Sequence, residues 1–434
     1  MMSMADPEKS AEGGLDPLGL YGIADELALL LCPGVRERQR RLRYLTMQAV
    51  SLELCAAFDA DRLAKDRRTE PWLVFEWHVV EGLVRHGMDG ESLSLPGSQK
   101  AKQAVDRGLA LSAETYLKTA AAFGFHGVYR LLARDLGIEE AEVLGGAGRE
   151  LLNVWEQEQD LRGFGSSSSG RGADLKRQWR DAVEEGLQQG KTARSGGWEG
   201  WRKISQHLHP LHMGAAEAGW FKQHLLADSK GHRGELLRFY RSRDGQKCVK
   251  ARSERAAHTA LLEKSDNQAL RVMLRAIQGY ENFARLAQDA FDACLQEMVL
   301  AHGPVRVATL AQLDLVQRAS RSIPQIFVAT AELLARQSEV LAARFQKNFD
   351  SLQHASSTAD WTALLLEHHG RVQRQKQPLA KNPWILSEGT AWRVRPLYAD
   401  RKLAGADRSS YAHAYRMLPL SGFVADLQRA TQIA

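Results

Sequence analysis

Apolar residues recur at intervals of three and four along most of the chain, a spacing typical of amphipathic α-helices. This spacing predicts helices over Ile23–Leu31, Arg36–Phe58 and Pro71–Val84. Pro71 suits the first turn of its helix, because backbone N–H groups there have no partner within the helix and proline lacks only that group. The predicted fold class is therefore mainly α, a multi-helical protein in two parts with a short β-hairpin near its C-terminus.

The longest predicted helix covers 267–302, where one narrow apolar stripe runs through the whole segment. At 1.5 Å per residue it would extend roughly 50 Å. Such a helix needs a partner along its stripe, and the pattern indicates Ile326–Phe349. Gly303 and Pro304 mark its end, and Pro324 is predicted to separate the next two helices.

Residues 95–137 predict three short helices joined by glycine turns, an order typical of a helix-turn-helix unit. The helices are expected over Gln99–Arg107, from Ala113 with Ser112 as its cap, and over Val128–Leu136. The middle helix would present Glu114, Thr115 and Lys118 to a DNA groove. A plain helical packing module remains the alternative interpretation.

Near the C-terminus a basic helix is followed by a segment in which apolar and polar residues alternate. The helix is expected to begin near Thr358, capped by Thr358 or Asp360, and its projection turns His368 toward the core and His369 toward a polar flank. From Trp384 to Arg395, apolar and polar residues alternate around a Ser-Glu-Gly-Thr turn, which predicts a β-hairpin with its arginines outward. A basic helix followed by a basic hairpin resembles a winged helix in shape.

These patterns divide the chain into consecutive parts. We expect a disordered N-terminus at 1–14, a helical N-terminal domain at 15–162, a Gly/Ser tether at 163–173, a helical bundle at 174–355, and a winged-helix-like part at 356–434. The tether is predicted from GFGSSSSGRG, a composition typical of flexible linkers.

Charge changes this picture more than composition does. The formal net charge of the 434 residues is +6, but the segment Lys222–Arg255 alone carries ten Lys and Arg against four Asp and Glu. The segment Glu367–Lys402 carries eight against three. Positive charge gathered in two places is typical of a surface for a polyanion, although two solvated basic loops would have the same composition.

No reaction is indicated by a motif. The chain contains no nucleophile elbow, phosphate-binding loop or zinc-protease motif, and its four cysteines form no metal-binding pair. His207, His209 and His212, with Glu217 nearby, are weak metal candidates because Pro210 interrupts any helix that could align them. We predict no catalytic residue, no metal and no cofactor, and an enzyme with a dispersed site remains an open alternative.

The leading hypothesis is a non-catalytic nucleic-acid-binding protein, with double-stranded DNA as the expected form. The predicted phosphate contacts are Arg371, Arg374, Lys376, Lys381, Arg393, Arg395, Arg238, Arg241, Arg243 and Lys247. Gln373 and Gln375 are the candidates for base contacts. The second hypothesis is a scaffold whose long helices dock protein partners in a bacterial assembly, for instance a mobile-element or phage-defence complex. No residue of the sequence indicates such a complex directly. We expect a cytoplasmic protein without a membrane segment.

Overall fold

The computed structural model describes residues 16–86, 94–165, 169–227, 231–376, 381–399 and 410–433. The predicted disordered segment at 1–14 lies outside these residues. The fold is mainly α, as predicted, with only short strands. Within the described ranges, no helix has both the length and the apolar character that crossing a membrane requires.

The elements of the first half of the chain are α1 (Tyr21–Leu31), α2 (Arg43–Cys55), α3 (Pro71–Arg85), α4 (Ser98–Asp106), α5 (Ala120–Phe123), α6 (Phe125–Asp135), β1 (Glu139–Glu140), β2 (Val143–Leu144), α7 (Gly146–Glu158), α8 (Arg171–Gln189), α9 (Glu199–His207) and α10 (Ala215–Leu226). Those of the second half are α11 (Arg233–Arg241), α12 (Arg243–Lys250), α13 (Glu254–Lys264), α14 (Gln268–Leu300), β3 (Val305–Arg306), α15 (Val307–Leu310), α16 (Asp314–Ala335), α17 (Glu339–Phe349), α18 (Thr358–Gln375), β4 (Ile385–Glu388), β5 (Ala391–Val394), α19 (Pro396–Ala399) and α20 (Met417–Ile433).

The chain forms two compact units. Unit 1 consists of Met1–Leu31 and Asp244–Tyr415, and unit 2 of Cys32–Arg243 and Arg416–Ala434. Unit 1 is built on the long helix α14, whose buried stripe packs along α16. Phe283 on α14 meets Phe345 and Phe349 at ring-centroid distances of 4.8 and 5.1 Å. This aromatic contact fixes α17 against the same core.

The break predicted at Pro324 does not occur. Pro324 lies inside α16, between the buried residues Ile323 and Phe327, and the chain turns only at residues 336–338. Proline in a helix interior removes one backbone hydrogen bond. Here the packing of α16 against α14 outweighs that local cost. The partner of the long helix is therefore Asp314–Ala335 rather than the predicted Ile326–Phe349.

The predicted hairpin is confirmed. Strands β4 and β5 pair antiparallel, with Ile385 opposite Val394 and Glu388 opposite Ala391. Gly389 supplies the positive φ of 66° in the turn. Strand β3 was not predicted; it pairs with β5 through Val305 and Trp392 to complete a three-stranded sheet.

Unit 2 packs helices around four buried tryptophans. Trp77 on α3, Trp155 on α7, Trp179 on α8 and Trp201 on α9 are all essentially inaccessible to solvent. The C-terminal helix α20 returns to this unit and packs against α10 and α11. Unit 2 therefore combines residues 32–162 of the predicted N-terminal domain with helices from both later predicted parts, whereas α1 belongs to unit 1.

The Gly/Ser segment predicted as a tether at 163–173 lies inside unit 2. Phe164 is fully buried, with its ring edge-on to Trp155 at 5.1 Å and to Trp179 at 5.9 Å. One aromatic anchor in this segment holds α7 and α8 in the same core, although the composition is typical of a linker.

The middle helix of the predicted helix-turn-helix does not form. Residues 113–119 form turns and a bend without any helix, and the next helices are α5 and α6. The Ser112 hydroxyl accepts from the backbone N–H of Glu114 at 3.3 Å, while the Thr115 hydroxyl donates to the Ala110 carbonyl at 2.8 Å. Side chains that bond their own backbone favour turns over helices. Glu114, Thr115 and Lys118 are consequently not on a groove-reading helix.

Candidate nucleic-acid interface

Helix α18 carries the basic residues of the first candidate interface, which lies within unit 1. Its N-cap is Ser357, not Thr358 or Asp360, since the Ser357 hydroxyl accepts from the Asp360 N–H at 3.1 Å. Trp361, Leu365 and Leu366 are buried and anchor the helix. Its last turn therefore projects its side chains from a fixed position.

His368 lies on the core side of α18, as the helical projection predicts. Its Nε2–H donates to the Leu18 carbonyl at 2.8 Å, and its Nδ1 accepts from the Arg371 guanidinium at 3.0 Å. The ring is therefore neutral, and burial lowers its pKa to about 4. His368 fixes the orientation of Arg371.

His369 is also buried, at 0% exposure, so its predicted place on a polar flank is wrong. Its Nδ1–H donates to the Pro17 carbonyl at 2.9 Å, and its Nε2 accepts from the Trp384 N–H at 2.9 Å. Burial lowers its pKa to about 4. The projection failed here because segments distant in sequence cover this side of the helix. Both histidines are structural groups with satisfied nitrogens.

Two predicted contact residues share this buried side. Gln373 is fully buried and donates to the Pro17 carbonyl at 3.2 Å, so it is not available to read a base. The Lys376 ammonium donates to the Asp16 carbonyl at 2.9 Å, and burial lowers its pKa. Lys376 is thus half-buried against the backbone rather than directed to a phosphate. Gln375 is exposed.

Arg371, Arg374 and Lys381, which we call the C-terminal basic surface, are exposed. Arg371 and Arg374 stand one helical turn apart, and the backbone N–H of Lys381 donates to the Gln373 carbonyl at 3.0 Å, which places Lys381 beside the helix end. Over the described ranges, no carboxylate forms an ion pair with these three side chains. The helix C-terminus carries partial negative charge, which favours cations there.

The hairpin arginines are less available than predicted. Arg393 is exposed but its Nε lies 2.5 Å from Oε1 of Glu388 on the facing strand. Arg395 is half-buried, and its backbone N–H donates to the Trp384 carbonyl at 2.8 Å. A phosphate would have to compete with Glu388 for Arg393.

The second candidate interface lies in unit 2. Lys222 on α10 and Arg238 and Arg241 on α11 border one shallow crevice whose floor is apolar. We call these three residues the unit 2 basic surface. All three are exposed, and none has an ion-pair partner in the part of the chain that the structure describes. Val424 and Leu427 of α20 complete the crevice.

Arg243 and Lys247 extend the charged segment along the chain. Arg243 is exposed and is the last residue of this part of unit 2. Lys247 belongs to unit 1 and its Nζ lies 3.1 Å from Oδ1 of Asp244. Sequence reasoning missed that Lys222 shares a crevice with Arg238 and Arg241, because the angle at which the consecutive helices α10 and α11 pack is not visible in the sequence.

The three weak metal candidates do not form a ligand set. His209 and His212 stack with ring centroids 3.8 Å apart, whereas Nδ1 of His207 lies 3.2 Å from Oε1 of Gln159. Glu217 is buried and its Oε2 lies 3.2 Å from the Nε of Arg43. Among the described residues, no group of three or more His, Cys, Asp or Glu is placed to hold a metal ion.

Comparison with known protein families, curated proteins and solved structures gives no significant match. Function is therefore argued from the sites themselves.

Proposed function

We propose that the protein binds nucleic acid without catalysing a reaction, through phosphate contacts at the C-terminal basic surface and the unit 2 basic surface. The observation that carries the proposal is the absence of ion-pair partners around these exposed cations in the described residues. Phosphates supply most of the affinity in non-specific nucleic-acid binding, and they require only accessible positive charge.

Some other surface arginines, in contrast, are paired with carboxylates. Arg62 lies 2.5 Å from Glu184, and Arg202 lies 2.7 Å from Glu199. A neighbouring carboxylate repels phosphate and competes for the guanidinium. Cations without such neighbours keep their charge and hydrogen-bond donors for a phosphate, which an arginine can hold through two parallel bonds.

The hydrogen bond that orients Arg371 also supports the proposal. Its guanidinium is held by the His368 ring, which is itself fixed by the Leu18 carbonyl. A side chain that is already oriented loses less conformational entropy when it binds a ligand. With Gln373 buried, Gln375 is the remaining predicted base contact, so we expect binding to duplex DNA with little sequence preference.

Mobility-shift titrations test this proposal. Wild type and the Arg371→Ala/Arg374→Ala and Arg238→Ala/Arg241→Ala variants are titrated with a DNA duplex, a single strand and an RNA at two salt concentrations. Each lost phosphate contact should reduce the slope of log affinity against log salt by about 0.9 on duplex DNA. Each double variant is therefore expected to flatten the slope by about 2.

Arg62→Ala/Arg202→Ala is the matched control, because it removes the same charge from paired positions. It should leave the salt slope unchanged. A wild-type protein that binds none of the three nucleic acids, or double variants with the slope of wild type, would overturn the proposal.

We propose a second function, docking of a basic amphipathic helix from a protein partner, at a groove between α16 and α17 in unit 1. The groove has a volume of about 410 Å³, and its apolar lining includes Phe327, Val328 and Ala331. Val328 is 52% exposed, although it is a large apolar side chain. Glu332, Glu339 and Asp350 also line the groove, and no Lys or Arg of the described residues does. An apolar floor with acidic edges suits a helix with a basic rim.

Fluorescence anisotropy with two labelled model helices tests the groove. One peptide is an amphipathic helix with Leu on one face and Lys on the other, and the second peptide has Glu in place of every Lys. The Lys peptide should bind, and Ala331→Arg should abolish its binding by filling the groove with a positive side chain. Equal binding of both peptides, or of neither, would rule this function out.

A further inference from the structure

A polar pocket of about 470 Å³ in unit 1 belongs to neither basic surface. It lies between α13 and α14 and is bordered by Tyr411. The two helices contribute side chains from single faces: Arg255, Thr259 and Leu262 recur every three or four residues on α13, and Gln278 and Asn282 are four apart on α14. Its volume lies in the range of small-molecule sites.

The segment 411–415, which contributes Tyr411 to the pocket wall, is fixed to both helices. Glu281 of α14 accepts from Nδ1–H of His413 and from the Tyr415 hydroxyl, both at 2.7 Å. Glu254 of α13 accepts from the backbone N–H of Tyr415 at 2.7 Å. Two carboxylates thus hold this segment, and with it the Tyr411 ring, in place. A pocket built this way is formed before a ligand arrives.

A buried histidine stands behind the Tyr411 ring. His258 is 0% exposed, and its ring lies 5.4 Å from that of Tyr411. Neither ring nitrogen of His258 has a hydrogen-bond partner among the described residues. Buried polar groups without partners are uncommon in proteins. His258 does not line the pocket itself, but it packs against the Tyr411 ring that does.

The chemistry of the lining indicates the ligand. Gln278 and Asn282 each offer a donor and an acceptor, the combination that recognises the edge of a nucleobase. The Arg255 and Arg271 guanidinium groups border the pocket together with one carboxylate, Glu263, so the charged lining is net positive and suits a phosphate. Arg271 is oriented by a hydrogen bond to the Ser265 carbonyl at 3.3 Å. Tyr411 adds an aromatic ring to the lining, and aromatic rings are the usual stacking partners of bases.

We propose that this pocket binds a nucleoside monophosphate, either free or as the terminal nucleotide of a strand. The amides hold the base edge, and an arginine holds the phosphate. The pocket contains no residue of either basic surface, so this proposal and the proposed nucleic-acid binding fail independently.

Isothermal titration calorimetry of the full chain with AMP, GMP, CMP and UMP tests the pocket. Ribose 5-phosphate, inorganic phosphate and citrate are titrated in parallel, and a 5′-phosphorylated oligonucleotide distinguishes a strand end from a free nucleotide. At least one nucleotide should bind about tenfold more tightly than ribose 5-phosphate, since its base adds the amide contacts. Asn282→Ala and Arg255→Ala should each weaken that binding by about fivefold or more.

Both substituted side chains are exposed, so the variants keep the core intact, which thermal melting verifies. Arg275→Ala is the control, because Arg275 is an exposed arginine of α14 outside the pocket lining. It should bind as wild type does. The proposal is overturned if no nucleotide saturates the protein, if phosphate or citrate binds as tightly as the best nucleotide, or if neither pocket variant changes the affinity.

Discussion

His369 and Trp384 are joined through one imidazole nitrogen: the Trp384 backbone N–H donates to Nε2 of His369 at 2.9 Å. Since Nε2 accepts, the proton must lie on Nδ1, which donates to the Pro17 carbonyl at 2.9 Å. A single neutral ring therefore connects α18, the start of the hairpin and the segment that leads into α1.

Replacing this ring should destabilise unit 1. His369→Ala removes the acceptor of the Trp384 N–H and one of the two donors to the Pro17 carbonyl, which keeps its bond from Gln373. It also opens a cavity beside Phe291, whose ring lies 4.8 Å from that of His369. We expect a loss of about 3 kcal/mol in the free energy of unfolding, measured by urea denaturation. His354→Ala, at an exposed histidine, should change stability by less than about 0.5 kcal/mol. A loss below about 1 kcal/mol for His369→Ala would show that the ring does not hold these segments.

The pKa of the same ring predicts acid sensitivity. Burial lowers the pKa of His368 and of His369 from 6.5 to about 4. Between these values the unfolded chain binds protons that the folded chain does not, so stability is full above pH 6.5 and falls as the pH drops toward about 4. Each histidine contributes at most about 1.4 kcal/mol per pH unit in this window.

Urea unfolding at pH 7, 6 and 5 measures this dependence. Other buried histidines, such as His78 and His258, also have lowered pKa values. The difference in unfolding free energy between wild type and His369→Ala at each pH therefore isolates the contribution of His369. The variant should lose less stability than wild type between pH 6 and pH 5. Parallel stability curves for the two proteins would contradict the assignment of a neutral, buried His369.

Local sequence patterns predicted the helices and strands better than they predicted how these elements pack. The hairpin followed from strict alternation and a glycine turn, and the core side of α18 from apolar spacing at Trp361 and Leu365. The burial of His369 and Gln373 could not be predicted, because residues 16–18 cover them and lie some 350 positions away along the chain. For the same reason, the sequence placed Gln373 and Lys376 among the exposed candidates, although both bond to the backbone of residues 16–17.

Pro324 offers a test of packing against local preference. Pro324→Ala restores a helix hydrogen bond in the middle of α16, although it also raises the entropy of the unfolded chain. We expect a net gain of about 1 kcal/mol in thermal or urea unfolding. The exposed Gln325→Ala on the same helix is the comparison and should change stability by only a few tenths of a kcal/mol. A loss of stability in Pro324→Ala would mean that the helix is shaped around the proline ring.

Phe164 tests whether the Gly/Ser segment belongs to the core of unit 2. Phe164→Ala removes its edge-on contacts with Trp155 and Trp179 and should cost about 3–5 kcal/mol. Limited proteolysis should then cut this segment faster than in wild type. An unchanged melting temperature and unchanged cleavage would indicate that the segment acts as a tether, as its composition predicts.

Comparing variants of Lys376 and Arg374 distinguishes a structural role of positive charge near the end of α18 from a role in binding. Arg374→Met removes an exposed cation with no ion pair in the described ranges and should flatten the salt slope of duplex binding by about 0.9, with little change in stability. Lys376→Met removes the bond to the Asp16 carbonyl and should cost about 1.5 kcal/mol of stability while the salt slope stays unchanged. The two variants lose the same formal charge, so a purely long-range electrostatic effect would change both slopes equally. Equal slopes in the two variants would therefore refute direct phosphate contact by Arg374 and leave net charge as the cause of binding.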